Sequence, residues 1–202
     1  MSTLKSSAED LTLNADGSGN DIILQSNGSN VGTLTAEGVL TATSFAGSGA
    51  SLTGLTSAQM PAGSVLQVVR MTTTTATSST SSSFVDLTDL DIQITPSATS
   101  SKVLVMASVK GINPSDNGLT AVSIQLLDSN GSTVMDFDEN HGYQVGDDGA
   151  LNSVSLLTGL SSPSSTSELT YKVQGKNRQV ADWSINGSTN TQSSIVAMEI
   201  AG

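Results

Sequence analysis

The sequence predicts an all-β protein, with a short N-terminal β-meander stem followed by a jelly-roll-like β-sandwich, intertwined as a homotrimer. Three observations carry this expectation. Residues 11–55 consist of very short apolar stretches separated by Asn, Asp, Gly and Ser. Ser and Thr make up about three residues in ten, while charged residues are 12% and aromatics 3%. That is too little charge for ordinary disorder, and it suits strands with a neutral polar surface. From residue 64 onward the apolar stretches lengthen and alternate at period two, with turn signals between them and no helical period.

Residues 1–10 are a polar leader, and such termini order only when docked on a partner. Residues 11–63 form the stem. Its apolar stretches fall at 11–13, 22–24, 31–34 and 39–45. The connectors at 14–20, 26–30 and 36–38 are rich in Asn and Gly, which tolerate positive φ. Each stretch carries only two or three large apolar side chains, too few to enclose a core. Three parallel copies can place Leu13, Ile23, Leu34, Leu40 and Phe45 near a shared axis, hence the expected homotrimer. Gly47, Gly49, Gly54, Pro61 and Gly63 then interrupt regular structure.

Residues 64–202 form the head. Strands are expected at 64–74, 84–93, 102–112, 120–127, 133–138, 150–157, 169–173, 180–184 and 193–200. The run KVLVMASVKGI at 102–112 is nearly continuous apolar, like a strand buried on both faces or lying in a subunit interface. Val122, Ile124 and Leu126 share one face. Leu169, Tyr171 and Val173 face inward against Thr170 and Lys172. In the last strand Val196, Met198 and Ile200 lie opposite Glu199. The run TTTTATSSTSSS at 72–83 reads as a long hairpin loop or a polar edge strand. About nine strands in roughly 140 residues fit a jelly roll.

The chain carries 18 acidic and 7 basic residues, a net charge of −11. Phosphate backbones and anionic lipids would repel it, so neither nucleic acid nor a membrane is an expected partner. With no cysteine there is no disulfide and no thiolate metal site. The start MSTLKSSAED has no apolar core for a secretory signal, and no apolar run reaches membrane-spanning length. Synthesis in a host cytoplasm, with release in a particle on lysis, is the expected route.

Catalytic chemistry is hard to assemble from this sequence. His141 is the only histidine, so a Cys-His dyad or a multi-histidine zinc site is excluded. A Ser-His-Asp triad would need His141, which sits in an expected loop, MDFDENHGYQVGDDG, and no G-x-S-x-G elbow presents a nucleophile. The glycines of GSGASLTG lack the following Lys and helix of a phosphate loop. No catalytic, cofactor-binding or metal residue is assigned, and no enzyme activity is expected. Asp136, Asp138, Asn140, Asp147 and Asp148 have calcium-loop-like spacing. However, His141 replaces the sixth-position Gly and Asp147 the twelfth-position Glu, so a solvated acidic loop is expected. Asn27, Asn130 and Asn186 each begin an Asn-Gly-Ser triplet and read as Asn-Gly turns. Trp183 reads as core or interface filler, with receptor contact as the alternative. The outward loops 113–119 and 137–149 are the expected contacts, with His141, Tyr143, Asp147 and Asp148 as candidate receptor-contacting residues.

The string LTLNADGSGNDIILQSNGSNVGTLTAEGVLTATSFAGSGASLTGL, residues 11–55, closely resembles the stem sequences of tail-fibre and head-fibre proteins of marine tailed bacteriophages. There, N-A-D-G-x-G-N-D, L-T-A-E-G-V-x-T-A-T-S-F and G-x-G-x-x-L-T-G-L recur before a trimeric β-rich head. ITPSATSSKVLVMASVKG and SSIVAMEIAG look like the globular C-terminal domains of such proteins. The resemblance implies a homotrimeric virion protein. Its N-terminus would attach to another virion protein of tail, baseplate or capsid, and its head would meet a host-surface glycan or protein. No cofactor is implied. The chain is short for a tail fibre and has no large N-terminal baseplate domain, so a capsid-surface fibre or a decoration or cement protein stands as the alternative. A glycan depolymerase is disfavoured, because such enzymes need a long repeated β-helix and nothing here repeats in that way.

Overall fold

The structure is a computed structural model and describes residues 13, 15, 17, 19–42, 59–115, 120–131, 133–144, 153–178, 182–187 and 190–202. The chain divides into two compact units, residues 1–53 and 54–202.

In the first unit β1 (Ile22–Ser26), β2 (Ser29–Leu34) and β3 (Leu40–Ala42) form an antiparallel sheet in chain order. The β1–β2 turn is Asn27-Gly28, with φ of 52° and 75°. Two positive-φ residues make the tight turn whose twist matches the flanking strands. Between β2 and β3, Gly38 N–H donates to Thr35 O and Thr35 N–H to Val39 O, each at 2.9 Å. The register sets Ile22 against Leu34 and Leu34 against Leu40. Alternation puts Leu24 on that same face. Ile23 pairs with Thr33 on the opposite face. The expected grouping of Ile23 with Leu34 and Leu40 is therefore corrected, and Ile22 and Leu24 take its place. Residues 11, 12 and 43–45, with Phe45, lie outside the described residues.

The second unit contains β4 (Val65–Thr73), β5 (Thr77–Ser79), β6 (Val85–Ile94), β7 (Lys102–Ser115), β8 (Thr120–Leu127), β9 (Val134–Gln144), β10 (Ser153–Ser161), β11 (Leu169–Asn177), β12 (Asp182–Ile185) and β13 (Ser193–Ile200). One antiparallel sheet runs β4-β13-β7, with β10 on β7 as well, and β12 and β5 extend it from the far end of β7. The other runs β6-β11-β8-β9. The strand order β4-β13-β7-β10 against β6-β11-β8-β9 is that of a jelly roll. The Thr/Ser run supplies β5, the polar edge strand. The expected contact loops are shorter than read. Residues 113–115 pair with β12, and β9 continues to Gln144 opposite Thr120, so residues 137–144 are strand.

The core lies between the sheets. Val103, Val105 and Val109 of β7, Val122, Ile124 and Leu126 of β8, and Tyr171 and Val173 of β11 are all fully buried. Trp183 is 1% exposed, so it is core, and receptor contact by its ring is ruled out. It packs over Gly175, where an added Cβ would stand 2.7 Å from Trp183 Cη2 and 3.3 Å from Leu87 Cδ2.

Halfway along, β7 changes neighbours. Residues 102–108 pair with β13 and residues 113–115 with β12. Gly111, at φ 63°, makes the bend. Side chains stand in for the ladder there. Lys110 N–H donates to Ser193 Oγ (2.9 Å) and Asn186 N–H to Lys110 O (3.1 Å). Ser193 Oγ in turn donates to Asn186 Oδ1 (2.9 Å), and Asn186 Nδ2 donates to Thr73 O and Thr75 O, both at 3.2 Å. Asn186 is 4% exposed with φ 49°, a buried turn residue, as its Asn-Gly pair suggested.

In β13 the alternation is as read, but the buried side is Ile195, Ala197 and Glu199, and Val196, Met198 and Ile200 face outward. Glu199 is 1% exposed and meets no cation among the described residues. Its Oε1 accepts from Ser97 N–H (2.7 Å), Ser97 Oγ (2.6 Å) and Ser101 Oγ (2.7 Å), and its Oε2 from Gln67 Nε2 (2.6 Å). Burial pushes the carboxyl up, but the hydrogen bonds from Ser101, Ser97 and Gln67 outweigh it and hold the pKa below its ordinary value. The carboxylate thus ties the β6–β7 connection and β4 to β13.

Two outcomes follow from this packing. Gly175→Ala forces the Trp183 ring to move and costs about 1–3 kcal/mol, read as a lower urea midpoint at unchanged slope. Glu199 has a depressed native pKa, so its contribution is complete above the ordinary value of 4.5 and is lost as the pH falls through the native one. Glu199→Gln is expected to lower stability by about 2 kcal/mol at pH 7 and by less in acid, measured as melting temperature against pH for both proteins.

Candidate interaction surfaces

The two outer faces of the sandwich differ in chemistry. On the β6-β11-β8-β9 sheet the outward positions are mixed: Ala121, Ser123, Gln125 and Leu127 of β8 are themselves buried, Val134 and Phe137 of β9 are exposed, and polar side chains link the neighbouring strands. Lys172 Nζ donates to Asp86 Oδ2 (3.0 Å), Gln174 Nε2 to Asp86 Oδ1 (2.6 Å) and Gln125 Nε2 to Gln174 Oε1 (2.8 Å). Burial acts to raise the Asp86 pKa. The hydrogen bonds from Gln174 and Lys172, with the Lys172 charge, prevail and hold it low. Lys176 lies over the Phe84 ring at 4.6 Å, and Phe84 meets Phe137 edge-on at 6.2 Å. The exposed Lys172–Asp86 ion pair here contributes little.

The other sheet is apolar on both sides. Directly paired residues share a face, so the registers of β4, β13, β7 and β10 define outward rows. Val68, Met198, Leu104 and Leu160 form one row, and Arg70, Val196, Met106 and Thr158 the next. Thr72, Ser194, Ser108 and Leu156 follow, then Lys110 and Val154. Lys102 pairs with Ile200 at the other end. Leu156 is 74% exposed and Leu160 60%. The charged residues on this face are Arg70, Lys102 and Lys110. None of the three forms an ion pair among the described residues, whereas Lys172 and Arg178 pair with Asp86 and Glu139. The expectation that the 102–112 strand is buried on both faces or lies in an interface thus meets a strand whose outward half is open in the single chain. An uncovered apolar face of this extent on a folded domain marks an interaction site.

The stem sheet has a third apolar surface. Leu13, Ile22, Leu24, Leu34 and Leu40 line a shallow recess of about 280 Å³. Leu13 is 51% exposed, Leu24 50%, Leu34 39% and Leu40 54%, so this unit encloses no core with the residues described.

Of the expected receptor-contact residues, two fall among the described residues. His141 and Tyr143 lie in β9, an edge strand, with His141 opposite Val122. Asp147 and Asp148 lie outside the described residues. Asp136 and Asp138 also lie in β9, not in a loop, and both carboxylates are engaged. Asp136 Oδ2 accepts from Thr158 N–H (2.7 Å), capping the open edge of β10, and Asp138 Oδ2 accepts from Ser155 Oγ (2.8 Å). Among the described residues no group of three or more His, Asp or Glu side chains is placed to hold a metal. No helix among them is long and apolar enough to cross a membrane.

No protein-family model matches the sequence, and no curated protein matches it. Among solved structures, the chain is similar to the VP2 protein of infectious bursal disease virus in its subviral particle. The identity is 14%, the match covers 67% of this chain and 33% of that one, and the TM-score is 0.38. A mutant VP2 of the same virus, in T=1 particles, matches at 14% identity over 67% of this chain and 36% of that one, with a TM-score of 0.32. The chain spans about a third of the length of these VP2 chains.

Because Asp136 and Asp138 already serve as acceptors, neither calcium nor a chelator is expected to shift the melting temperature. A calcium-dependent rise of several degrees, lost when both residues are changed to Ala, would overturn this.

Proposed function

We propose that this chain is a virion structural protein, a homotrimeric fibre anchored to the particle through its N-terminal leader. Its head faces outward to meet a host surface, and it performs no catalysis. The observation that carries the reading is the stem. A three-stranded sheet whose leucines stand about half exposed is stable only when other chains cover them. Three parallel copies bring the Ile22, Leu24, Leu34 and Leu40 faces to one axis. The jelly-roll head has the buried apolar content of an autonomous fold, so anchoring falls to the leader and stem. The stem motif string supports the fibre reading over that of a decoration protein.

Light scattering of the purified chain is expected to give three copies, and a folded monomer at micromolar concentration would sink the proposal. Chains lacking residues 1–60 should fold and retain host binding but fail to join particles. If they still join, the assigned polarity is wrong. Labelled images of the particle separate tail from capsid attachment. No release of reducing ends from host surface polysaccharide is expected. Release abolished by one Asp→Asn change would contradict the non-enzymatic reading.

A further inference from the structure

We infer that the outward face of the β4-β13-β7-β10 sheet is a contact between heads, seated on an acidic surface of a second copy of this chain in a head-to-tail ring. The inference rests on the trimeric reading and assigns it an interface that the stem does not supply.

Extent is the first argument. Four strands spaced about 4.8 Å apart and five rows about 6.7 Å apart cover roughly 500 Å² when seen flat. That is more than half of the roughly 800 Å² each partner gives to a standard interface. The arrangement is the second. Leu104, Met106, Val196 and Met198 occupy the centre, on the two middle strands. Arg70 lies on the edge strand, Lys102 at the start of β7 and Lys110 next to the Gly111 bend that ends its flat first half. An apolar centre with a charged rim is the anatomy of a protein interface.

Charge identifies the occupant. Among the described residues the face carries three bases and no acid, while the whole chain carries −11, which leaves −11 − 3 = −14 on the rest of the molecule. The surface most complementary to this face is therefore elsewhere on the same protein. A two-fold contact would set each base against its own copy. A heterologous contact sets it against acids instead, and heterologous contacts that close generate rings, of which the trimer is one.

The absence of cysteine makes the test clean. A single cysteine is placed on the face by Leu156→Cys in the full chain, and its rate of maleimide labelling is compared with that of the urea-unfolded chain. Leu156 is 74% exposed in the single chain, so an open face would label at nearly the unfolded rate. The expected result is labelling slower by roughly ten-fold or more where light scattering gives three copies. Rapid labelling returns when Arg70→Glu and Lys110→Glu are added, with the circular dichroism spectrum unchanged. Arg70→Gln with Lys110→Gln serves if the reversal impairs folding. Three copies with rapid labelling overturn this inference and leave the trimer standing on its stem. Three copies with protection indifferent to both substitutions overturn the assigned charge complementarity. A monomer with a protected cysteine shows the face covered by its own chain and overturns the inference. A monomer with a freely labelled cysteine overturns both readings.

Discussion

The head depends on one strand. β7 hydrogen-bonds β13 over residues 102–108, β10 over residues 103–112 and β12 over residues 113–115. Its inward valines form the centre of the core. Since every second residue of a strand points the other way, a strand apolar on both sides must either be covered twice or leave one side bare. The fold covers it once. The bend at Gly111 also leaves backbone groups that no strand reaches, and Ser193 and Asn186 serve them. The side chains that look most decorative in the sequence, a Ser and an Asn in a turn, join β4, β7, β12 and β13.

The two sheets treat their charges differently. The β6-β11-β8-β9 sheet pairs its bases with acids, amides or an aromatic ring. On the other sheet the bases form no ion pair among the described residues and stand around an apolar field.

Much of this was legible in the sequence. β8 and β13 begin and end where their alternation does, and the Asn-Gly pairs turn where they should. What the sequence did not show follows from physical choices that pattern alone cannot settle. In β13, hydrophobicity argues for Val196, Met198 and Ile200 inside. The fold buries Glu199 instead, because three polar side chains and a backbone N–H from other segments can satisfy it. In the stem, Ile22, Ile23 and Leu24 are consecutive and equally apolar, so only the hairpin register decides which face each takes. In β9, the polar run at 136–144 looks like a loop, yet pairing with β8 holds it as strand. The outward sheet face was foreshadowed by the run 102–112, whose second face carries Leu104 and Met106 where a half-buried strand would be polar.

The two ends of the head domain lie side by side. Gly63 N–H donates to Ala201 O (2.7 Å), and Ala201 N–H donates to Ser64 O (2.8 Å). Mechanically, tension arriving along the chain from the stem side is met first by this clasp. It passes into β13, an interior strand held on both flanks and locked by Glu199, so the load is spread through the middle of the sheet before the edge strand β4 can peel.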